Sequence, residues 1–566
     1  MLSNCYQYPL ITQRARLLAQ RRLKLNNFFE KNFTPAVRSP DVGPAHFGPC
    51  RSLLFVVASL FNSAFRVLLG ISMRLDVASP VLIALLVPAF AAFPSDYVPS
   101  HVAPPNPVTE FRGVWVATVA NIDWPSRPGL STAAQKAELT AILDRAAHLK
   151  LNAIILQVRP TADALYASPI EPWSEYLTGT MGRPPRPSYD PLAFAVEQAH
   201  RRGLELHAWF NPFRASHDSS KSAIAPNHVS RTHPEFVRTY GKCLWLDPGE
   251  PAAREYVLRV ILDVVKRYDI DGIHFDDYFY PYAEQDAGGR DLAFPDAASW
   301  RKWGPGTGMT RDDWRRENLN QFVRQAYQKI KAAKPWVKFG ISPFGIWRPH
   351  NPPQIKGMDA YAELYADSRK WLANGWLDYC APQLYWPIEP KDQSFPARLD
   401  WWAAQNPKGR HLWPGIATVY APKWPAGEIA NQIQLARQQG GVTGYILWSM
   451  RSLMQNDALA RVLQHDINNQ LALVPSLSGA LASSPDRSSV SLSELPGGRL
   501  RILCRSTDGS APSWLIQTQS DGKWSSEILH GKRVAAFLGA NRPDWIAVTQ
   551  IDRGGRAGKT VAYQRK

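Results

Sequence analysis

Two adjacent carboxylates, Asp276 and Asp277, lie within the run Asp271 to Tyr280, DGIHFDDYFY, and tyrosines follow at Tyr278 and Tyr280. Paired acids can divide general acid and base work at one bond, and aromatic rings beside them suit a ligand with flat faces and many hydroxyls. The run reads as a buried strand in which Ile273 and Phe275 share one face while Gly272, His274 and Asp276 share the other. Asp276 is therefore expected where the polar residues point. Asp277 has the opposite parity and reaches the same place only if the strand breaks there. Like charges so close would then raise one pKa and suit an acid role. The alternative for either aspartate is to hold Arg159 or to cap a loop.

Such a strand end needs a scaffold. From Phe111 to about Gln464, short apolar runs alternate with amphipathic stretches, the pattern of repeated βα units and a parallel sheet. Eight strands begin near Gly113, Asn152, Leu204, Asp271, Val337, Leu377, His411 and Val442, with helices such as Ala133 to Leu149, Pro191 to Arg202, Ala253 to Tyr268, Trp314 to Ala333 and Gly427 to Gln439 between them. The fold class predicted is α/β, a (β/α)8 TIM-type barrel over 111–466. An open doubly wound sheet is the alternative, but no Gly-rich phosphate turn follows the first strand.

Chemistry in such barrels collects at the carboxyl ends of the strands. Parity turns Gln157 and Arg159 inward from the second strand, His207, Trp209 and Asn211 from the third, Ser342 from the fifth, and Gln383 and Tyr385 from the sixth. Arg159, Asn211, Tyr278, Tyr280, Gln383, Tyr385, Trp386 and Trp448 are the expected ligand contacts, and Asp276 and Asp277 the expected catalytic pair. Carbohydrate is the substrate class that amides, carboxylates and stacked rings fit best. Trp124, Trp173, Trp347 and Trp386 add aromatic surface in or beside the presumed top loops, although any single Trp also suits a core. A second carboxyl for glycosidic cleavage has several candidates, Asp163, Glu171, Glu389 and Asp392, none singled out by spacing. No metal is expected, because His228 and His233 lack ligand spacing, and no cofactor is needed.

The stretches FRGVWVATVANIDWP, LQVRPTADALY, HAWFNPFR, DGIHFDDYFYP, GISPFGIWR, YADSRKW and APQLYWP, in this order, resemble the glycosyl-hydrolase-like 10 family. The resemblance runs from about Phe111 to Gln464. It implies a (β/α)8 barrel, export, and hydrolysis of peptidoglycan glycan strands that have lost their stem peptides. It also implies roles for Asp276, Asp277, Arg159, Asn211, Gln383, Tyr385 and Trp386 at the matching motif positions, and for Asp367 in YADSRKW, which on the helix before the sixth strand suits a structural role as well as a catalytic one. Tyr278 stands where the chitinase pattern of alternating acids puts its glutamate, which argues against hydrolysis of that kind. A non-catalytic cell-wall glycan binder and a hydrolase of another polysaccharide remain as alternatives.

The flanks carry most of the charge. Of the net +17, residues 1–72 hold +7 and residues 467–566 hold +6. Basic flanks fit an anionic partner, an envelope polymer or lipid headgroups, or simply the composition of the host. No nucleic-acid motif is present. Five scattered cysteines, Cys5, Cys50, Cys243, Cys380 and Cys504, suggest neither a disulfide framework nor a zinc site.

Residues 73–92 read as a secretory signal, with Arg74, an apolar run from Val77 to Val87 and small residues at Ala89 and Ala91. Its apolar run is shorter than the roughly 20 residues of a stable membrane span. Export to the periplasm or cell envelope is expected. Residues 1–72 read as a basic extension, an upstream mis-start of the reading frame or a real segment inserting Leu53 to Ile71 in a membrane. Residues 93–110 and 467–485 read as linkers. Residues 486–566, with short alternating runs such as RLRILCR and WIAVTQID, read as a small immunoglobulin- or fibronectin-like β-sandwich.

Overall fold

The computed structural model describes residues 93–566 apart from 95, 287, 478–487, 507–512, 532 and 540. The basic extension and the leader segment lie outside the described residues.

Eight parallel strands form a closed ring. In chain order they are Phe111–Val116, Ala153–Arg159, Glu205–Phe210, Gly272–Phe275, Lys338–Ile341, Tyr379–Cys380, the two-part seventh strand His411–Leu412 and Gly415–Ile416, and Gly444–Leu447. Pro414 interrupts the seventh strand, as a residue without an N–H must. Its first part pairs with the sixth strand and its second with the eighth, and Gly444 pairs with Phe111 to complete the circle.

The expected helices are present as Thr132–His148, Pro191–His200, Pro251–Arg267, Arg311–Ala333 and Glu428–Gln438. Several start where the sequence supplies a cap: Ser131 accepts from Ala134 N, Thr310 from Asp313 N, and Asp190 precedes Pro191 and accepts from Ala193 N.

Strand parity separates two cores. Ile154, Leu156, Val158, Leu206, Ala208, Phe210, Ile273 and Phe275 pack against the helices. Phe111, Trp115, Ile155, Trp209, Tyr379, Trp413 and Ile446 fill the inside of the ring. Room for these rings is made by glycine on neighbouring strands: a Cβ on Gly272 would stand 2.5 Å from the His207 ring.

The second body is a sandwich of two antiparallel sheets. One contains Ser488–Leu495, Arg499–Ser506 and Arg533–Leu538; the other contains Lys523–His530, Ser513–Ser520, Trp545–Ile551 and Ala557–Arg565. The stretch before the barrel, expected as a linker, supplies an edge strand to each. Phe93 and Pro94 pair with Glu494 and Ser493, and Tyr97–Ser100 pairs with Ala562–Arg565. Tyr97 is buried in the sandwich core beside Trp514 and Ile546. Val108–Thr109 then pairs in parallel with Ala472–Leu473.

The second sheet rests on the strand-start end of the barrel. Leu515, Ile551 and Ile528 close on Leu473, and Arg553 reaches Asp269 at 2.7 Å. Cys380 and Cys504 are buried and Cys243 half-buried, all three unpaired.

Candidate active site

The fourth strand ends at Phe275, and with it the pleat, so Asp276 and Asp277 are not held to opposite sides. Their carboxylates diverge inside the ring. Asp276 turns to the third strand, where Trp209 Nε1 donates to Oδ2 at 3.2 Å and the Asn211 amide donates to the same oxygen. Asp277 turns the other way, to the sixth strand, where Gln383 Nε2 donates to Oδ1 at 2.9 Å while the Tyr282 hydroxyl donates to Oδ2. Asp276 is 6% exposed and Asp277 4%, so both are recessed and neither is sealed.

Burial raises both pKa values. Asp276 is pushed up to about 7, first by burial and then by the charge of Asp277, against the opposing pull of Arg214 and of the bonds from Tyr278 N and Asn211. Asp277 is raised by burial, opposed by its bonds from Tyr282 and Gln383. Two like charges on consecutive residues titrate as a pair, so near neutral pH the pair holds one proton.

The direction of the Asn211 bond is dictated from behind. Gln157 accepts from Thr118 N and Val119 N at 2.8 Å each through Oε1, which leaves its NH2 to donate to Asn211 Oδ1 at 2.5 Å. Asn211 must then present its own NH2 to Asp276.

Aromatic rings line the space around the acids. The half-buried Trp448 lies 6.1 Å from Trp115, 6.2 Å from Trp209 and 6.4 Å from Tyr385, the last nearly parallel at 23°. Trp115 is fixed by Nε1 donating to His274 Nε2 at 3.1 Å. That bond assigns the His274 proton to Nδ1, toward the Tyr379 hydroxyl at 3.0 Å. Burial and the nearby His207 hold His274 neutral.

Of the residues expected in the site, Asp276, Asp277, Asn211, Tyr278, Gln383, Tyr385 and Trp448 are brought together. Asn211 is fully buried, so it positions Asp276 and does not reach a ligand. Trp386 packs on Phe344 and under Arg398, whose guanidinium lies 4.1 Å from its ring.

Besides Asn211, two more expected ligand contacts are corrected. Arg159 has no exposed surface: Nε and Nη2 clamp Glu171 at 2.8 and 2.6 Å, and Nη1 donates to Asn211 O and Pro212 O. Alternation predicts an inward side chain, but the register shifts between Gln157 and Arg159 and sets Arg159 opposite Phe210, a residue of the outer core. Tyr280 is 1% exposed and packs in the outer core against Phe294 and Tyr365, at 5.0 Å each, because past Phe275 the chain turns and parity lapses.

The candidate second carboxyls go elsewhere. Glu171 is consumed by Arg159. Asp163 is fully buried, accepts from Thr161 N at 2.9 Å and is raised by burial to about 6. Glu389 and Asp392 are exposed, and Asp367 caps the helix Ser368–Ala373. Trp124 is core, donating to Gln135 O at 3.0 Å. Among the described residues, no group of three or more His, Cys, Asp or Glu is arranged to hold a metal ion.

Sequence reasoning missed two members. Tyr282 bonds Asp277 from within the same loop. Arg214, three residues past Asn211 in HAWFNPFR, lies 5.0 Å from the Tyr278 ring, donates to Pro160 O at 3.0 Å and draws down the pKa of both aspartates. The basic residue closing that motif was the available signal.

The sequence profile of the family described as Glycosyl hydrolase-like 10 matches residues 110–426. The glycosyl hydrolase YngK of Bacillus subtilis (strain 168) is 44% identical over 383 residues, covering 65% of this chain and 74% of its own. The glycosyl hydrolase DigH of Escherichia coli (strain K12) is 34% identical over 417 residues, covering 66% of this chain and 93% of its own. Among solved structures, the PgaB (BpsB) glycoside hydrolase domain from Bordetella bronchiseptica aligns with a TM-score of 0.44 and 16% identity, over 63% of this chain and 98% of that one.

Proposed function

Because the chain belongs to the glycosyl-hydrolase-like 10 family and is a glycoside hydrolase, we propose that its substrate is an amino-sugar polymer of the cell wall. The specific substrate is peptidoglycan glycan strands without stem peptides, cut between N-acetylmuramic acid and N-acetylglucosamine. The observation that carries this reading is the recessed Asp276–Asp277 pair set among Trp115, Trp209, Trp448 and Tyr385. The half-buried Trp448 and Tyr385, backed by the buried Trp115 and Trp209, can take the apolar faces of sugars, and a bare glycan strand is slender enough to reach acids that stem peptides would block.

Asp276 is the general acid. It carries the shared proton near neutral pH and gives it to the leaving glycosidic oxygen. Asp277, kept ionised by the donors Tyr282 and Gln383, does the base work. The leader-like segment 73–92 supports export to the periplasm or envelope, where such strands are found. No helix among the described residues is long and apolar enough to cross a membrane.

The test is digestion of amidase-treated sacculi. Shortened glycans with wild-type protein and intact ones with Asp276→Asn support the proposal. Unchanged glycan length with wild-type protein, at every pH between about 4 and 8 where the acid pair changes charge, sinks the substrate.

A further inference from the structure

The sandwich has a face that the active site does not use. Its second sheet is turned to the barrel through Leu515, Ile528 and Ile551, so the outer side of the first sheet is the side away from the catalytic domain. On Arg499–Ser506, Leu500, Ile502 and Cys504 are fully buried, whereas Arg499 and Arg505 are exposed and Arg501 and Leu503 half-buried. Three arginines thus lie on one side of one strand.

Among the described residues, their cross-strand neighbours do not cancel the charge. Register sets Ser489 beside Arg505, Ser491 and Ala535 beside Leu503, and Ser493 and Phe537 beside Arg501. Arg501 Nε donates to Ser493 Oγ at 3.1 Å, an uncharged partner. The acids at the end of this sheet, Glu494 and Asp96, are both held by Arg542, at 2.7 and 2.8 Å. Phe537, opposite Arg501 on the edge strand of this sheet, is 62% exposed, more than any other large apolar side chain among the described residues.

Residues two apart on a strand are about 7 Å apart, so Arg499, Arg501 and Arg505 form a row of about 20 Å along the strand. Such a row recognises phosphate oxygens. A soluble phosphodiester polymer would satisfy the arginines and leave Phe537 in water. A phospholipid surface satisfies both, since an aromatic ring beside basic residues settles at the boundary of headgroups and acyl chains.

We propose that this face docks the enzyme on an anionic lipid surface, with Arg499, Arg501 and Arg505 on the headgroup phosphates and Phe537 at the acyl boundary. The orientation that follows is useful. The sandwich sits at the strand-start end of the barrel, by Asp269 and Leu473, and the catalytic pair at the strand-finish end. A docked enzyme presents Asp276 and Asp277 away from the bilayer.

The experiment is sedimentation of the full chain with vesicles of phosphatidylcholine containing about one third phosphatidylglycerol, with pure phosphatidylcholine vesicles and soluble inorganic polyphosphate as the other arms. Binding to the anionic vesicles alone, released by salt, is expected. Each arginine near the surface is worth about fivefold, so replacing all three by Gln weakens binding about 100-fold, while Lys at the same positions keeps most of it. Phe537→Ser weakens it about tenfold. All variants keep wild-type hydrolase activity on a soluble glycan, which shows that they fold. Equal binding by wild type and the Gln variant overturns the proposal, as does equal binding to uncharged vesicles. Capture by polyphosphate with none by vesicles also overturns it, in favour of a phosphodiester polymer.

Discussion

Asp276 and Asp277 are consecutive residues, so neither can ionise without raising the cost for the other. Replacing Asp276 by Asn removes the donor and is expected to lower kcat by about 10²–10⁴-fold on a glycan substrate, the usual contribution of a general acid. A residual rate within a factor of two of wild type would move the acid elsewhere. The same substitution carries a stability signature. The folded pKa of Asp276 is raised to about 7 by burial, above its unfolded value, so the stability linked to the protonated acid is present at low pH and lost as pH rises through about 7. The Asn variant should therefore gain on wild type in thermal melts at about pH 8, with the advantage shrinking between about pH 7 and 4 and gone below about pH 4. Arg214 acts in the opposite sense, favouring the ionised acids. Arg214→Gln should let Asp276 keep its proton to higher pH and move the alkaline limb of kcat/KM upward by about one unit. A limb that stays in place would show that the guanidinium does not act on Asp276.

At the scale of elements, the site depends on how strand ends are locked together, and Gln157 is the lock between the first, second and third strands. Gln157→Leu keeps the volume but abandons Thr118 N, Val119 N and Asn211 Oδ1, at about 1–3 kcal/mol for each stranded group. Denaturant melts should show that loss. kcat should fall as well, because Asn211 is then free to turn its oxygen toward Asp276; a destabilised enzyme with unchanged kcat would deny Asn211 a positioning role. This level of structure was partly legible in the sequence. Alternation placed Gln157, Trp209, Asn211 and Gln383 inside the ring, since period-2 burial is a local property of a strand. What alternation does not encode is a bulge: the register shifts between Gln157 and Arg159, which sets Arg159 opposite the outward Phe210 and spends it on Glu171. Beyond the last paired residue it encodes nothing, which is why Tyr280, expected at the ligand, is core, while Tyr282, given no role from sequence, bonds Asp277.

For the whole molecule, the least legible feature was the debt of the sandwich to the chain before the barrel. Tyr97–Ser100 is four residues long and carries Pro99, and its strand character comes from Ala562–Arg565 at the far end of the sequence. Its place is held by Tyr97 Oη donating to Pro543 O at 2.5 Å, and Gln517 Nε2 ties the following stretch through Pro105 O at 2.9 Å. A truncation designed from sequence alone, ending near residue 477, would keep these segments without partners. Tyr97 would lose its core, the edge of Tyr97–Ser100 would lie open, and Leu473 would lose Leu515 and Ile551. Unpaired strand edges and stranded apolar side chains promote association. Residues 93–477 should therefore aggregate more readily than residues 106–477, which remove the orphaned strand as well, and light scattering on heating separates the two. Both should retain the catalytic pair, since the bonds to Asp276 and Asp277 arise within the barrel. If the longer piece proves as soluble as the shorter, the orphaned strand Tyr97–Ser100 does not drive association once its partner Ala562–Arg565 is gone.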